Sequence, residues 1–203
     1  AEKYEKVLLL YHHNINKMEL KIRKATAEDA PFIAQVVCIA IACEDSLKGY
    51  CGENYMDVIT QIAAEEGTQY SWQNALIAEV DGCPAGGIVA YDGAKLYPLR
   101  SKTWDIIENI TGKRPFIVDE TQAGECYLDS LAVLQEYRGK GIAKQLILSL
   151  AEKVKNEGIP YVGLLVDVDN ERGQALYKSV GFKFVNESDF LGHKMYHLQK
   201  NTL

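Results

Sequence analysis

The run Leu131-Ala-Val-Leu-Gln-Glu-Tyr-Arg138-Gly-Lys-Gly141-Ile-Ala143 leads a predicted strand into a long amphipathic helix through a loop with two glycines. The first turn of such a helix leaves four main-chain N–H groups without intrahelical partners, and the helix dipole adds about half a positive charge there. Arg138, Lys140 and Lys144 add cationic charge. A phosphate or diphosphate is therefore the expected ligand, and a solvated basic turn is the alternative for this loop alone.

Two nucleotide motifs can be tested against the same residues. The P-loop is excluded, because Leu134 stands where its first glycine is required and Gly141 follows Lys140 in place of Ser or Thr. The dinucleotide fingerprint fits poorly, because Lys144 occupies the position of its third glycine.

The segments around this loop predict strands and helices in alternation. The predicted strands are 20–23, 75–78, 87–91, 125–134, 161–168, 182–185 and 194–198, and the predicted helices are 32–44, 58–63, 104–110, 141–157 and 171–180. Asp81-Gly82 predicts a hairpin turn, and residues 50–55 are expected to form a loop. The order of elements implies an α/β layered sheet with a crossover connection.

Composition favours one globular domain. The chain has 203 residues, of which 47% are hydrophobic and 25% charged. We expect residues 1–17 to be an extension of doubtful relevance to the fold, and residues 18–203 to form a single domain. Residues 92–124 resemble an insertion on the sheet, and such an insertion often carries specificity.

Charge and hydropathy exclude several classes of partner. The net charge of −6 disfavours nucleic acid. The longest nearly apolar run, residues 32–42, is too short to span a bilayer, so we expect no membrane partner. No apolar run near the start is long enough for a secretory signal, so a cytoplasmic location is expected.

Metal binding is not expected. The four histidines form no HExxH motif, and the five cysteines are odd in number and include no CxxC pair. Buried thiols are the expected state of the cysteines.

Residues 138–143, Arg-Gly-Lys-Gly-Ile-Ala, resemble the acyl-CoA signature Arg/Gln-x-x-Gly-x-Gly/Ala of the GNAT superfamily of N-acetyltransferases. Leu165-Val166, Asn170, Leu176-Tyr177 and Gly181-Phe182 resemble the second signature of that family. The sequence departs from the family pattern at Gln135, where Pro is frequent, at Gly173, where Ala is common, and in residues 92–124, which have no counterpart.

This resemblance implies a fold, a co-substrate and a set of contacts. The fold would be α/β (α+β), a central mixed, mostly antiparallel twisted sheet with splayed parallel strands, flanked by helices. Acetyl-CoA would lie between residues 128–133 and 162–168. The implied cofactor-binding residues are Leu131, Ala132, Val133, Arg138, Gly139, Lys140, Gly141, Ile142, Ala143, Lys144, Asn170 and Tyr177.

Tyr177 is the predicted general acid. Asn170 and Tyr177 are seven residues apart and therefore share one helix face. A tyrosine hydroxyl has a pKa of about 10, above the roughly 8.5 of a thiol, so it holds a proton for a departing thiolate. The alternatives are an aromatic ring that only packs and an Asn170 that only caps its helix.

A general base is also needed, because only about one lysine-like amine in 2,500 is unprotonated at pH 7. Glu125, Tyr127 and Asp129 share one strand face. Glu125 is preferred to Asp129 because it lies thirteen residues before Arg138, where histone-type members of the family carry their base. His193 is a further alternative, and ordinary solvated carboxylates are another.

The predicted activity is direct acetyl transfer from acetyl-CoA to a primary amine, either a small molecule or a lysine or N-terminal amine. The acidic balance favours a cationic acceptor. The rival hypotheses are a non-catalytic acyl-CoA-binding sensor or interaction module and a different nucleotide-diphosphate binder. The resemblance is compatible with a homodimer.

Overall fold

A seven-stranded mixed sheet lies at the centre of residues 18–203, the part of the chain that this computed structural model describes; the predicted extension 1–17 lies outside it. The strand order is β1-β2-β3-β4-β5-β7-β6. The strands are β1 Leu20–Lys24, β2 Ala75–Val80, β3 Cys83–Asp92, β4 Glu125–Val133, β5 Tyr161–Asp167, β6 Lys183–Phe190 and β7 His193–Asn201. All neighbours pair antiparallel except β4 and β5, which confirms the predicted fold class.

Six α-helices flank the sheet within residues 18–203. They are α1 Ala30–Ile41, α2 Glu44–Cys51, α3 Tyr55–Ala64, α4 Leu96–Thr111, α5 Ile142–Asn156 and α6 Glu171–Ser179. None of the described helices is both long and apolar enough to cross a membrane.

Both faces of the sheet are covered, as the apolar alternation of its strands requires. In β2, Leu76 and Ala78 pack with α5 on one face, whereas Ala75 and Ile77 pack with α1, α3 and α4 on the other. Two hydrophobic cores, one on each face, therefore hold the sheet rigid.

The parallel strands β4 and β5 separate soon after they start. They pair only over Glu125–Tyr127 and Tyr161–Gly163. Beyond this point β4 continues beside β3 to Val133, and β5 continues beside β7 to Asp167. A gap with unpaired strand edges opens between them, as the predicted splay requires.

Several predicted helix boundaries are wrong. The first helix ends at Ile41 because Ala42 adopts the left-handed conformation, with φ of 54°. A separate helix then runs through Tyr50 and Cys51, where a loop was predicted. The predicted piece 104–110 belongs to the longer helix α4. Pro98 is tolerated in the first turn of α4, because a main-chain N–H at this position would have no acceptor within the helix.

The cysteine prediction is partly wrong. All five thiols are free, but Cys43 and Cys83 are exposed and Cys38 is only partly covered, so Cys51 and Cys126 alone are buried.

Gly163 leaves room for a buried side chain at the point where β4 and β5 separate. A Cβ at Gly163 would overlap the carboxylate of Glu125, which crosses β5 to reach β7. Replacing Gly163 by Ala is therefore expected to lower the free energy of unfolding by about 1–3 kcal/mol, the usual cost of overpacking. Urea denaturation measures this change.

Gly49→Ala is the matched control. Gly49 lies inside α2, and an added Cβ would meet no atom within 4 Å. Alanine is the better helix former, so this change is expected to raise stability by about 0.5–1 kcal/mol. Equal losses in the two variants would contradict the proposed role of Gly163.

Candidate functional site

The loop that follows β4 presents a row of free main-chain amides. Gly139 and Gly141 both adopt left-handed conformations, with φ of 78° and 77°, and a Cβ at either would meet no atom within 4 Å. No side chain caps α5, and among residues 18–203 the amides of residues 139–144 have no hydrogen-bond partner. These amides and the dipole of a 15-residue helix form an anion-binding turn.

Basic side chains surround this turn and remain exposed. Arg138 Nε donates to the main-chain carbonyl of Val133 over 3.1 Å, which ties the loop to the end of β4. The Lys140 ammonium lies 5.3 Å from the centre of the Tyr137 ring. Leu131 and Val133 are partly buried beside the gap, and Ala132 is buried. The residues present therefore fit a ligand with a diphosphate and an extended arm.

Asp129 occupies a β-bulge in the strand that leads to the loop. Val89 pairs with Ser130 and Ala90 with Leu128, so Asp129 has no partner on β3. Bulges of this kind redirect a side chain and recur near active sites. Ser130 Oγ donates to Asp129 Oδ1 over 2.8 Å, and within the described residues Oδ2 has no partner.

Burial raises the pKa of Asp129 to about 7, and the nearby Glu120 carboxylate adds to this rise against the Ser130 hydrogen bond. Every fully buried polar side-chain atom in residues 18–203 has a partner, so the free Oδ2 must be accessible from a cavity. A carboxylate with a pKa near the working pH can take up and release a proton.

That cavity has a volume of about 420 Å³ and lies beside Asp129. Helices α1, α2 and α4, strand β4, residues 115–120 and the turn between β6 and β7 all contribute to its wall. Its aromatic lining consists of Tyr50, Tyr70, Trp104, Phe116, Tyr127 and Phe190. Burial raises the pKa of Tyr50, Tyr70 and Tyr127, so these phenols are neutral at physiological pH.

A buried ion pair forms one side of the cavity. Arg100 contacts Glu120 and also donates to Asp119 Oδ1 over 2.7 Å. Gln69 and Tyr91 donate to Glu120 Oε1 over 2.8 and 2.7 Å. Of the two carboxylates, only Glu120 lines the cavity, whereas Asp119 is about half exposed.

Tyr177 lies on α6 and packs against the core that contains α5. Its ring meets Phe182 edge to face at 5.5 Å, and its hydroxyl has no hydrogen-bond partner among residues 18–203. Burial raises the pKa of Tyr177 to about 12. The phenol is therefore protonated at neutral pH and free to donate a hydrogen bond.

Glu125 occupies a different environment from Asp129, although both are on β4. It is buried and does not line the cavity. Burial alone would raise its pKa, but hydrogen bonds from His197 and Gln199, each 2.8 Å, and from Thr121, 2.7 Å, hold it below the usual value. The structure thus places Glu125 in a network that joins β4, β7 and the end of the insertion.

The two remaining candidates have structural partners. The Asn170 side chain accepts a hydrogen bond from the Gly173 amide over 2.8 Å and so caps α6. A Cβ at position 173 would lie 2.7 Å from Asn170 Nδ2, so glycine there allows this cap. His193 Nδ1 lies 3.3 Å from Asp167 on the exposed face of the turn and does not line the cavity.

Sequence reasoning missed most of the cavity wall. Arg100 and Glu120 are twenty residues apart without any local motif, so nothing in the sequence pairs them. One signal was available: the chain has 12 Tyr but 5 Phe, and buried phenols need polar partners. Within residues 18–203, no three His, Cys, Asp or Glu side chains are grouped to hold a metal ion.

Comparison with known proteins identifies the family. Residues 43–182 match the sequence model of the Acetyltransferase (GNAT) family. A solved structure described as an acetyltransferase superposes with a TM-score of 0.74 at 33% identity, covering 90% of this chain and 100% of the other.

Curated proteins with similar sequences are also named as N-acetyltransferases. The Escherichia coli K12 protein named "Uncharacterized N-acetyltransferase YjgM" is 26% identical over 178 residues, 86% of this chain and 88% of that protein. N-alpha-acetyltransferase 30 of Schizosaccharomyces pombe is 39% identical over 56 residues, 28% of this chain. The chain spans 37% of that relative, and 23% and 19% of two others. The match across residues 43–182 confirms the resemblance seen in the sequence, and the chain belongs to the GNAT family of acetyltransferases.

Proposed function

We propose that this protein is an acetyl-CoA-dependent N-acetyltransferase that transfers an acetyl group directly to a primary amine. The observation that carries the proposal is the position of Asp129. This carboxylate lines a cavity, and it lies on the strand whose end leads into the free amides of residues 139–144. A donor site and a site for proton removal are thus joined by a few residues of β4.

Acetyl-CoA supplies the acyl group as a thioester when bound. The amides of residues 139–144 would hold its diphosphate, with Arg138, Lys140 and Lys144 adding positive charge. The main-chain edge of β4 at Leu131, Ala132 and Val133 would lie beside its pantetheine arm. Because Asn170 already caps α6, we assign its side chain to the helix and not to the ligand.

Asp129 is the proposed general base. It would take one proton from the bound ammonium, which leaves a nitrogen lone pair to attack the thioester carbonyl carbon. The C–N bond forms, the C–S bond breaks, and the nitrogen loses a second proton as the thiolate gains one. The products are an amide, free coenzyme A and one proton released from Asp129.

We prefer Asp129 to Glu125 because of their hydrogen bonds. Both Glu125 oxygens already accept hydrogen bonds, and its pKa is held low, so it is a poor proton acceptor. Asp129 has a free oxygen and a pKa of about 7. Glu125 would instead position β4.

Tyr177 would stabilise the departing thiolate. With a pKa of about 12, it is a weaker acid than a thiol of pKa roughly 8.5, so a hydrogen bond is favoured over complete proton transfer. The thiolate would then take its proton from solvent or from the attacking nitrogen.

The first test is turnover itself. Purified protein with acetyl-CoA and a panel of amines is expected to release free thiol, and only when an amine is present. Thiol is measured with a chromogenic disulfide. Tight acetyl-CoA binding without turnover across the panel would support the acyl-CoA-binding module instead.

Asp129→Asn is expected to lower kcat/KM by about 10²-fold or more, because proton abstraction typically contributes 10²–10⁴-fold. In the wild type, kcat/KM should fall about tenfold per pH unit below pH 7, because Asp129 becomes protonated there. The variant should lose this acid limb. Glu125→Gln should keep it, and loss of the limb in Glu125→Gln would contradict the assignment.

The stability of the fold should fall as pH rises, whereas kcat/KM should increase. The raised pKa of Asp129 means that the folded state holds a proton that the unfolded chain releases between about pH 4 and 7. Stability from this group is therefore full at low pH and is lost as pH rises through 7. Asp129→Asn should melt at a higher temperature than the wild type at pH 8. A lower melting temperature would contradict the destabilising charge assigned to Asp129.

Tyr177→Phe is expected to reduce kcat by about tenfold to a hundredfold with little change in KM for acetyl-CoA, because one hydrogen bond to a developing thiolate is lost. Steady-state kinetics measure both constants. The edge-to-face contact with Phe182 is retained in this variant, so thermal stability should be unchanged. A kcat of Tyr177→Phe equal to that of the wild type would show that the Tyr177 ring only packs.

A further inference from the structure

The acceptor side of the cavity is built by the insertion between β3 and β4. Trp104 of α4 and residues 115–117 face the cavity across from Ser46 and Gly49 of α2. Phe190 and Leu191 of the β6–β7 turn add to the wall. The space for an acceptor is thus bounded by three separate parts of the chain.

The buried side chain of Arg100 contacts every residue of the segment 117–120. Arg100 donates to the carbonyls of Ile117 and Val118 over 3.3 and 3.1 Å, to Asp119 over 2.7 Å, and contacts Glu120. Its side chain is 7% exposed. One guanidinium therefore fixes four consecutive residues, and it has little capacity left to bind a substrate.

The sheet side of the same wall is fixed by Glu120. Its Oε1 accepts hydrogen bonds from Gln69 and from Tyr91, and Tyr91 lies directly opposite Tyr127 on β4. Arg100 and Glu120 thus connect the insertion to the strand that carries Asp129. Loss of this connection would displace the wall relative to the reactive carboxylate.

Charge and size define the acceptor that fits. Among the side chains that line the cavity, Arg100 is paired with Glu120, so Asp129 is the carboxylate left to pair with a bound cation. Aromatic faces such as that of Tyr70 favour a cation. A volume of about 420 Å³ lies within the range of small-molecule pockets.

We propose that the acceptor is a small cationic amine bound against the insertion, and that Arg100 is a positioning residue that holds residues 117–120 as the specificity wall. This inference rests on the proposed acetyl transfer. It concerns which amine enters, and not whether transfer occurs.

The substrate part is tested by competing acceptors with the wild-type protein and acetyl-CoA. A small aliphatic diamine should show kcat/KM at least about tenfold above that of a decapeptide with a free N-terminus and one lysine. It should also exceed an uncharged arylamine of similar size. Products are identified by mass.

The wall is tested with the double variant Arg100→Met/Glu120→Gln, which removes both charges together and leaves no unpaired buried ion. KM for the diamine should rise about tenfold or more, while KM for acetyl-CoA stays within about twofold. Arg100→Lys, which keeps the charge, should restore part of the difference. An unchanged KM for acetyl-CoA also shows that the variant is folded.

Arg114→Met is the matched control. Arg114 also stacks on Trp104, at 5.8 Å against 5.2 Å for Arg100, but it pairs with Asp105 and Glu108 at the surface and does not line the cavity. This variant should leave both KM values unchanged.

The outcomes are distinguishable. Equal turnover of peptide and diamine by the wild type, or preference for the uncharged arylamine, would overturn this inference and leave acetyl transfer intact. A double variant that raises KM for acetyl-CoA as much as KM for the diamine would overturn the role of Arg100. Absence of thiol release with every acceptor would overturn the transferase assignment, and this inference with it.

Discussion

The separation of β4 from β5 is the constraint on which the rest of the molecule depends. Three residue pairs hold the two strands together, after which each continues along its other neighbour. A sheet normally pairs such edges in hydrogen bonds, so unpaired edges in the middle of a sheet leave main-chain groups available to a ligand or to water. The buried Glu125 network lies at the point of divergence and joins β4 to β7 across Gly163. It fixes where the gap begins.

In the proposed transferase, separate parts of the chain build the donor site and the acceptor site. The donor side is made by β4, its glycine loop and α5, which are contiguous in sequence. The acceptor side is assembled from α2, α4, residues 115–120 and the β6–β7 turn. Asp129 belongs to both, because its bulge lies in β4 and its free oxygen faces the acceptor cavity. The desolvation that tunes this carboxylate also costs stability, a common compromise at active sites.

This division explains what the sequence could and could not predict. The β4–loop–α5 unit depends on local rules, namely strand alternation, glycine conformation and helix amphipathicity, so the free amides of residues 139–144 were predictable. The Arg100–Glu120 pair depends on the path of the insertion between β3 and β4, and no local rule specifies it. Glu125 and Asp129 have equal parity on one strand, and only the bulge and the partners on β7 distinguish them. The helix Glu44–Cys51 was missed, because the predicted first helix ran to residue 44 and residues 50–55 were expected to form a loop.

The place of the insertion has a structural consequence. Residues 93–124 leave and re-enter the sheet between two strands that pair directly with each other, with Asp92 opposite Cys126. A loop anchored at such a junction can be lengthened, shortened or exchanged without shifting the register of the sheet or disturbing the glycine turn. A change in this one connection can therefore reshape the wall of the cavity beside Asp129 and leave the turn of residues 139–144 in place.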